Sequence, residues 1–445
     1  MPGYHRIVAV KRIVGPDFAG VAIALAASVW ALTAADLYQD NLRADHPAIR
    51  YDQAPVSDRA AQLNQKLERG EIKLDYRDGG LGYLPSLLEQ LGVNPDSQAL
   101  VFSKTSFQAG KISPRNPRAI YFNDDVAVGW VRGGDGFEIA ALDPKQGVIF
   151  YTLDIHQSDR PRLARQSVCL QCHQGPATSG VPGIFIGSVY PNSAGTPYQP
   201  GAIVTDHRTA FKDRWGGWYV NATQGEQPDR ANAVASDPAE PEVLHGLGLQ
   251  GSPNNASQNL TSLIGFGSFN PAGYLTPVSD IVALMTFEHQ TQMVNFMTRL
   301  NWEARIAEHD QKPASPAVNS DIESLVTYML FAEEAPLTQS IQGVSTFTST
   351  FPKPGPRDRK GRSLRDFDLN RRLFRYPLSY MIYSAAFDAL PETVRDRVYR
   401  RIYEVLTSRE PDPKFERLSG EDRKSIIEIL RDTKPNLPAY WRAVR

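Results

Sequence analysis

Short runs of β-branched and aromatic residues fill the stretch from about 119 to 153. Turns rich in Gly, Pro and Asp, at 132–136 and 143–147, interrupt these runs. Runs of this length between such turns are typical of β-hairpins. The pattern therefore predicts an antiparallel β meander, with strands at 119–122, 126–131, 137–142 and 148–153.

Helical periodicity dominates the last third of the chain. A long helix is predicted to begin at Ser279, a good N-cap after Pro277, and to end near His309. Further helices are predicted at 321–334, 366–390 and 391–408 and from Ser419 to Arg431, with a basic loop at 352–363. These elements favour a mostly helical C-terminal half.

The order of elements predicts an α+β fold. The β meander is expected to be followed by a loop-rich region, from about 175 to 273, and then by the helical half. We expect three parts: an N-terminal segment at 1–36, a mixed α/β part at 37–275, and a helical part at 276–445 that packs on it.

The N-terminal segment has the pattern of an export signal or membrane anchor. Basic residues precede 18–35, a run of uncharged residues between Asp17 and Asp36. As a helix this run would be about 27 Å long, enough to cross a thin bilayer. An uncleaved anchor and a signal peptide cleaved near Ala35 are both open, with a buried core helix as a third possibility. Either of the first two places the rest of the chain outside the cytoplasm.

Composition excludes several classes of protein. The 445 residues include 48 Lys and Arg against 49 Asp and Glu, so no basic excess indicates a nucleic-acid partner. There are two cysteines, too few for a disulfide-rich scaffold or a four-thiolate metal site within the chain. Hydrophobic residues make up 41%, which suffices for a real core.

The two cysteines lie together in the sequence Cys169-Leu-Gln-Cys172-His173, which is the C-x-x-C-H pattern of haem attachment. Thiols at positions i and i+3 project from one side of a helical turn, where both can react with the vinyl groups of one porphyrin. Three other interpretations are open. A redox dithiol would need a βαβ context, a zinc site lacks an obvious fourth ligand, and a disulfide would close a very small loop.

This motif resembles that of the c-type cytochromes. The resemblance implies one covalently bound haem c, thioether bonds from Cys169 and Cys172, and His173 as the proximal iron ligand. Small cytochromes carry the motif near their N-terminus and supply a Met some tens of residues later. Here the motif follows a β-rich stretch and the next Met is Met285. We therefore expect a fold other than the simple small-cytochrome fold.

Three further stretches are similar to a little-characterised group of bacterial cytochrome c-like proteins. They are 214–220, 279–284 with 288–290, and 374–383. This resemblance implies an architecture but no reaction.

The sixth ligand of such an iron decides between electron transfer and small-molecule chemistry. On the predicted long helix, His289 belongs to a row spaced by four residues, with Met285, Met293 and Met297. His207, in the loop-rich region, is a rival. A Met row can simply fill core, and a lone His is often only hydrogen-bonded. An open or water-bound site is a further alternative.

Other residues are candidates for the haem surroundings. Arg214 has the guanidinium that pairs with haem propionates, and the indoles of Trp215 and Trp218 can donate to the same oxygens and pack on the porphyrin. Glu288, beside His289, is a candidate proton donor. A Gly-Gly turn with two packing tryptophans and a simple salt bridge are the plainer alternatives.

The sequence as a whole predicts an exported or membrane-anchored monohaem protein that transfers single electrons to a redox partner protein. A haem enzyme, peroxidase- or oxygenase-like, with an open sixth iron position is the alternative, because a simple carrier needs far fewer residues. A haem-based sensor or an assembly component is a third possibility.

Overall fold

The computed structural model describes residues 41–247, 259–267, 269–312, 316–408 and 412–442. The chain from Asn41 onward forms one compact unit. The predicted segment at 1–36, with the apolar run 18–35, lies outside the described residues. Within the described ranges, no helix combines the length and the hydropathy needed to cross a membrane. The predicted boundary between the 37–275 and 276–445 parts stays a prediction.

A seven-stranded antiparallel sheet forms the framework of the first half. Its strands, in chain order, are β1 (Ala99–Val101), β2 (Arg118–Phe122), β3 (Val126–Val131), β4 (Gly136–Asp143), β5 (Gly147–Asp154), β6 (Ala164–Arg165) and, later in the chain, β9 (Trp218–Tyr219). Their order across the sheet is β6-β5-β4-β3-β2-β1-β9. The predicted meander is confirmed, and its four strands begin and end within one residue of the predicted positions.

Two small hairpins interrupt the loop-rich region after the sheet. One pairs β7 (Ile186–Ser188) with β8 (Ile203–Thr205), and the other pairs β10 (Ala233–Ala235) with β11 (Leu244–Gly246). A 3₁₀ turn, Pro176–Thr178, separates the Cys-Cys-His stretch from the first hairpin, and the ring of Phe185, just before β7, lies 6.0 Å from that of His173.

Helices dominate the second half, as predicted. The nine helices of the described chain are α1 (Arg59–Glu68), α2 (Leu84–Leu91), α3 (Leu170–His173), α4 (Ile281–His309), α5 (Pro316–Met329), α6 (Phe347–Thr350), α7 (Ala385–Asp388), α8 (Glu392–Thr407) and α9 (Gly420–Thr433). The α+β class, with a helical C-terminal half, is therefore confirmed.

The two faces of the sheet belong to different cores. Side chains alternate along a strand, so Ile120 and Phe122 on β2 share one face with Phe150 on β5. We call this the α4 face, because Phe122 stacks on Phe287 of α4 with ring centroids 4.5 Å apart. The opposite face packs against the N-terminal helices and includes Trp130.

The long helix begins one residue later than predicted. Asp280, not Ser279, is its N-cap, and the Asp280 carboxylate accepts from the N–H groups of Val282 and Ala283. The Ser279 hydroxyl instead accepts from the backbone N–H of Leu100 at 2.9 Å. Ser279 therefore ties the start of α4 to the sheet.

The helix predicted at 366–390 is wrong over most of its length. Only α7 and a 3₁₀ turn at Tyr380–Tyr383 are helical there. Pro377 lacks a backbone N–H, and Leu369 has a left-handed φ of 59°. The aromatic side chains of this segment pack into the core instead, with Phe367 stacked on Phe374 at 5.3 Å.

The other C-terminal helices follow the sequence more closely. The predicted helix at 321–334 is displaced toward the N-terminus and is α5. The helix predicted at 391–408 is α8. The cap predicted at Ser419 is confirmed, since its side chain accepts from the Asp422 N–H in a capping box at the start of α9.

Candidate functional site

The Cys-Cys-His stretch folds as one continuous turn. A 3₁₀ turn, Ser167–Cys169, runs directly into α3. Both cysteines are free thiols; Cys169 is buried and Cys172 is exposed. Burial, together with the nearby carboxylate of Glu138, raises the pKa of Cys169 to about 11. Cys172 is among the groups that act on the pKa of Cys169, so the two thiols lie near each other in this turn.

The tautomer of His173 is fixed by a backbone carbonyl. The Nδ1 atom of His173 lies 3.0 Å from the carbonyl oxygen of Gly183. Because a carbonyl can only accept, Nδ1 must carry the proton. The Nε2 atom then holds the lone pair that can bind a metal. A hydrogen bond of this kind on the other ring nitrogen is what orients most metal-ligating histidines.

Burial keeps this imidazole neutral. The ring of His173 packs against Phe150, at 4.8 Å between centroids, and lies 6.0 Å from Phe185. Burial lowers the pKa of His173, and the carbonyl of Gly183 opposes that shift. A neutral imidazole is the form that binds iron or zinc.

The long helix holds the loop that carries Gly183. Asn295 of α4 donates to the carbonyl of Ile184 at 3.0 Å, and Arg299 donates to the carbonyl of Ser179 at 3.0 Å. A methyl group on Gly183 would lie 2.0 Å from Oδ1 of Asn295. The loop is therefore pressed closely against α4, which sets the position of the Gly183 carbonyl.

Apolar side chains near the turn remain open to solvent. Val168, beside Cys169, is 46% exposed, and Ile203 and Val204 on β8 are about 40% exposed. Val204 pairs with Gly187 of β7, and a methyl group on Gly187 would touch the ring of Phe185. The hairpin thus continues the apolar surface around His173.

The α4 face of the sheet is lined by small residues near His173. Gly129, Ala127 and Ala140 occupy neighbouring positions there, close to Phe150. A methyl group on Gly129 would lie 3.5 Å from Glu138 and 3.6 Å from Arg118, so these two side chains border the row of small residues. Two free thiols, an imidazole with Nε2 available and a nearby apolar surface fit a covalently attached haem.

Four other predicted residues form a buried cluster, which is hydrogen-bonded to the β7–β8 hairpin through Thr205: Arg214, Glu288, His207 and His289. Arg214 and Glu288 make an ion pair with 3.2 Å between Nη1 and Oε2, and both side chains are almost fully buried. Arg214 also donates to the carbonyls of Thr209 and His207, at 2.8 and 2.9 Å. Burial raises the pKa of Glu288, and Arg214 opposes that rise. The guanidinium of Arg214 is thus fully engaged within this cluster.

His207 and His289 contact each other in the same cluster. Their Nδ1 atoms are 2.8 Å apart, and Nε2 of His289 lies 2.8 Å from the hydroxyl of Ser379. Nε2 of His207 is buried without a partner in the described part of the chain. Its ring is stacked on Tyr328 and Phe331, at 4.0 and 4.6 Å. Burial lowers the pKa of both histidines, so both are neutral.

Neither of these histidines belongs to the ring contacts of His173, which are with Phe150 and Phe185. Both nitrogens of His289 are engaged, whereas His207 keeps one. Iron ligation by His207 or His289 stays a prediction. The predicted Met ligands Met285, Met293 and Met297 are all buried in the core.

The two tryptophans differ in their surroundings. The indole N–H of Trp218 donates to the carbonyl of Gly187 at 2.8 Å, which ties the sheet to the β7–β8 hairpin. Trp215 is fully buried with a left-handed φ of 67° and meets Phe211 edge-on at 5.0 Å. Trp218 is thus linked to the hairpin that follows the Cys-Cys-His turn, and a place at the haem edge stays a prediction for both tryptophans.

A second group of possible metal ligands lies at the end of α4. Donor atoms of His46, His309 and Asp310 all lie within 4.8 Å of one another. However, Nδ1 of His46 accepts from the N–H of Ala48 at 3.2 Å, which places the proton on Nε2. That nitrogen lies 3.3 Å from Asp310. An N–H donated to a carboxylate explains the contact between His46 and Asp310.

Sequence analysis missed a charged pair beside the Cys-Cys-His turn. Arg118 on β2 and Glu138 on β4 are 2.7 Å apart, and both lie on the α4 face. The available signal was Arg118 itself, since it shares an inward row with Ile120 and Phe122. A charged residue in such a row indicates a buried partner or a ligand.

Comparisons with known proteins found no counterpart of this chain. It matches no protein-family model, no curated protein and no solved structure. The function proposed below therefore rests on the side chains around Cys169, Cys172 and His173.

Proposed function

We propose that this protein carries one haem c, attached through Cys169 and Cys172, and that it transfers single electrons. The observation that carries the proposal is the 3.0 Å contact between Nδ1 of His173 and the carbonyl of Gly183, which leaves Nε2 for iron on the same turn as two free thiols. A bound haem would supply one-electron redox chemistry. The protein's own residues hold and orient it.

Each residue of the turn has a distinct part. Cys169, buried against the sheet, and Cys172, at the surface, would form the two thioether bonds. His173 would be the proximal ligand, oriented by the carbonyl of Gly183. A hydrogen bond from Nδ1 to a carbonyl also makes the imidazole a stronger donor to the metal.

Exposure of the turn favours electron transfer. Val168 and Cys172 are exposed, so the edge of a haem attached there would reach the surface. An accessible haem edge allows a redox partner protein to approach closely. We further propose that the protein acts outside the cytoplasm, because c-type haem is attached there and residues 18–35 have the pattern of an export segment.

Haem attachment is tested by producing the full chain in a bacterial host with c-type maturation enzymes. The alkaline pyridine spectrum of the denatured protein should show one haem per chain that organic solvent does not extract. Cys169→Ser and Cys172→Ser should each lose one thioether bond, and the double variant should lose covalent haem. Ser167→Ala, in the same turn, is the matched control. Fully extractable haem, or none, would refute the proposal.

A second candidate function is binding of a small molecule at the sixth iron position. The observation that favours it is the engagement of both His289 nitrogens with His207 and Ser379. Burial of the three Met side chains of α4 in the core agrees with this. Addition of CO to the reduced protein distinguishes the two functions. A rapid, complete spectral change indicates an open position, and an unchanged low-spin spectrum indicates a strong sixth ligand.

A further inference from the structure

Arg118 and Glu138 form a half-buried ion pair on the α4 face. Nη1 of Arg118 lies 2.7 Å from Oε2 of Glu138, and their side chains are 17% and 22% exposed. Gln108 donates to the other carboxylate oxygen at 3.2 Å. Glu138 is therefore held by two donors, and the pair is anchored to the sheet.

The register of the sheet places Arg118 and Glu138 on the same face as Phe150, the residue that packs against the ring of His173. Ile120, two residues after Arg118, pairs with Gly129, which pairs with Glu138. Ala140, two residues after Glu138, pairs with Phe150. Paired residues point to one side of a sheet, so Arg118, Glu138 and Phe150 share the α4 face.

The charges of Arg118 and Glu138 also affect residues of the Cys-Cys-His turn. Burial is the main cause that lowers the pKa of His173. The charge of Arg118 also lowers this pKa, and the charge of Glu138 raises it. Glu138 also raises the pKa of Cys169, again after burial. The ring of Phe150, on the same face, lies 4.8 Å from that of His173, so the face that carries Arg118 and Glu138 also contacts the proposed haem site.

One nitrogen of the Arg118 guanidinium donates no hydrogen bond within the described part of the chain. Its Nε–H is buried and has no hydrogen-bond partner among the described residues. A buried donor without an acceptor costs free energy, so such a group points to a missing acceptor. Arg214, by contrast, uses Nε, Nη1 and Nη2 on Thr209, Glu288 and His207.

We propose that Arg118 binds a propionate of the haem attached at Cys169 and Cys172. This inference rests on the proposed function, and it transfers to Arg118 the role that the sequence assigned to Arg214. Nε and a terminal nitrogen of a guanidinium form the fork that binds a carboxylate through both oxygens. Glu138 fixes the guanidinium on its other side.

The test compares charge variants of the haem-loaded full chain. In Arg118→Gln the propionate loses its counter-charge, which stabilises ferric iron and lowers the midpoint potential. We expect the ratio of reduced to oxidised protein at a fixed potential to fall on the order of threefold, the effect of a unit charge in a partly hydrated site. Glu138→Gln removes a negative charge and should raise the midpoint potential. Arg118→Lys keeps the positive charge, so its potential should stay close to that of the unsubstituted protein.

A matched control is Arg59→Gln. Arg59 also forms an ion pair with a carboxylate, Asp125, at 2.7 Å, but its side chain is 52% exposed. This variant should leave the potential nearly unchanged. The propionate bending band of the resonance Raman spectrum should move in Arg118→Gln and stay in place in Arg59→Gln, because only the first removes a direct contact.

The outcomes separate the two proposals. Failure to attach haem in the unmodified chain contradicts the proposed function. Attached haem with the same potential and the same propionate band in Arg118→Gln overturns this inference and leaves attachment intact. If Arg118→Gln does not fold, Arg118→Lys decides. Lysine keeps the charge but cannot bind a carboxylate through two nitrogens, so the propionate band should move while the potential changes little, and an unmoved band would overturn this inference.

Discussion

At the residue scale, one backbone carbonyl determines what His173 can do. The Gly183 carbonyl accepts a hydrogen bond from the Nδ1–H group of His173, and the Gly183 N–H in turn donates to the His173 carbonyl at 2.9 Å. Two reciprocal hydrogen bonds thus fix the ring relative to the loop. Because α4 packs closely against Gly183, there is no space for a methyl group on the Cα of this glycine.

Gly183→Ala should therefore damage the site through contact with Asn295. A methyl group would lie 2.0 Å from Oδ1 of Asn295 and 3.1 Å from Thr178, so the loop must shift. We expect a loss of about 1–3 kcal/mol in the free energy of unfolding, measured by urea denaturation. Gly175→Ala is the control, since nothing lies within 4 Å of the added carbon. Equal losses in both variants would contradict this packing.

The buried Arg214–Glu288 pair allows a second prediction at this scale. Glu288→Gln leaves a buried guanidinium without its counter-charge. We expect the free energy of unfolding at neutral pH to fall by about 3 kcal/mol or more. Asp125→Asn breaks the more exposed pair with Arg59 and should cost less than about 1 kcal/mol. Similar losses from the two substitutions would show that Arg214 is not held mainly by Glu288.

At the element scale, α4 connects the separate parts of the fold. It is buried along most of its length and packs on the sheet through Phe287. It also holds the loop after the Cys-Cys-His turn through Asn295 and Arg299. Arg299 in turn pairs with Glu303 at 2.6 Å and Asp321 at 3.1 Å. The loop is thus linked to a buried group of carboxylates.

Because of these buried carboxylates, we expect the stability of the protein to fall as the pH rises. Burial, with the neighbouring Asp321, raises the pKa of Glu303 to about 8, whereas an unfolded Glu titrates near 4.3. Between these values the folded protein binds more protons than the unfolded chain, so its stability falls as the pH rises. Glu303→Gln should flatten the decline in unfolding free energy between pH 5 and pH 9. An unchanged pH profile in the variant would contradict this assignment.

The elements that depend on local sequence were predictable, and those that depend on tertiary contacts were not. The meander followed from alternation and turns, both local signals. The predicted cap of α4 was wrong by one residue because Ser279 and Asp280 are both good N-cap residues. The hydroxyl of Ser279 instead accepts a hydrogen bond from the N–H of Leu100. Residues 366–379 were wrongly predicted as helix because their aromatic side chains pack at long range around Phe351 and Phe374.

The same limit applies to the candidate site. The turn of Cys169, Cys172 and His173 is read directly from three residues in five positions. The choice between Arg214 and Arg118 as the proposed propionate partner depends on which guanidinium keeps a nitrogen without an acceptor, and among the described residues that is Nε of Arg118. Only the fold shows that Arg214 is fully engaged and that Arg118 shares a sheet face with Phe150.

At the scale of the whole molecule, the fold surrounds the Cys-Cys-His turn with three supports. The sheet provides a face of small residues, α4 holds the following loop, and the β7–β8 hairpin extends the apolar surface. Trp218 links the sheet to this hairpin through Gly187. Such an arrangement is larger than attachment of a haem alone requires. Under the proposed function, the helical half would serve a partner or a small ligand of the haem.

The most direct test of the central claim is the mass of the proteolytic peptide that contains residues 169–173. The protein is produced with c-type maturation enzymes and digested under denaturing conditions. We predict that this peptide carries the mass of one haem, and that the same peptide from the Cys169→Ser/Cys172→Ser double variant does not. An unmodified peptide from the unsubstituted protein, with two free thiols or one disulfide, would contradict the account.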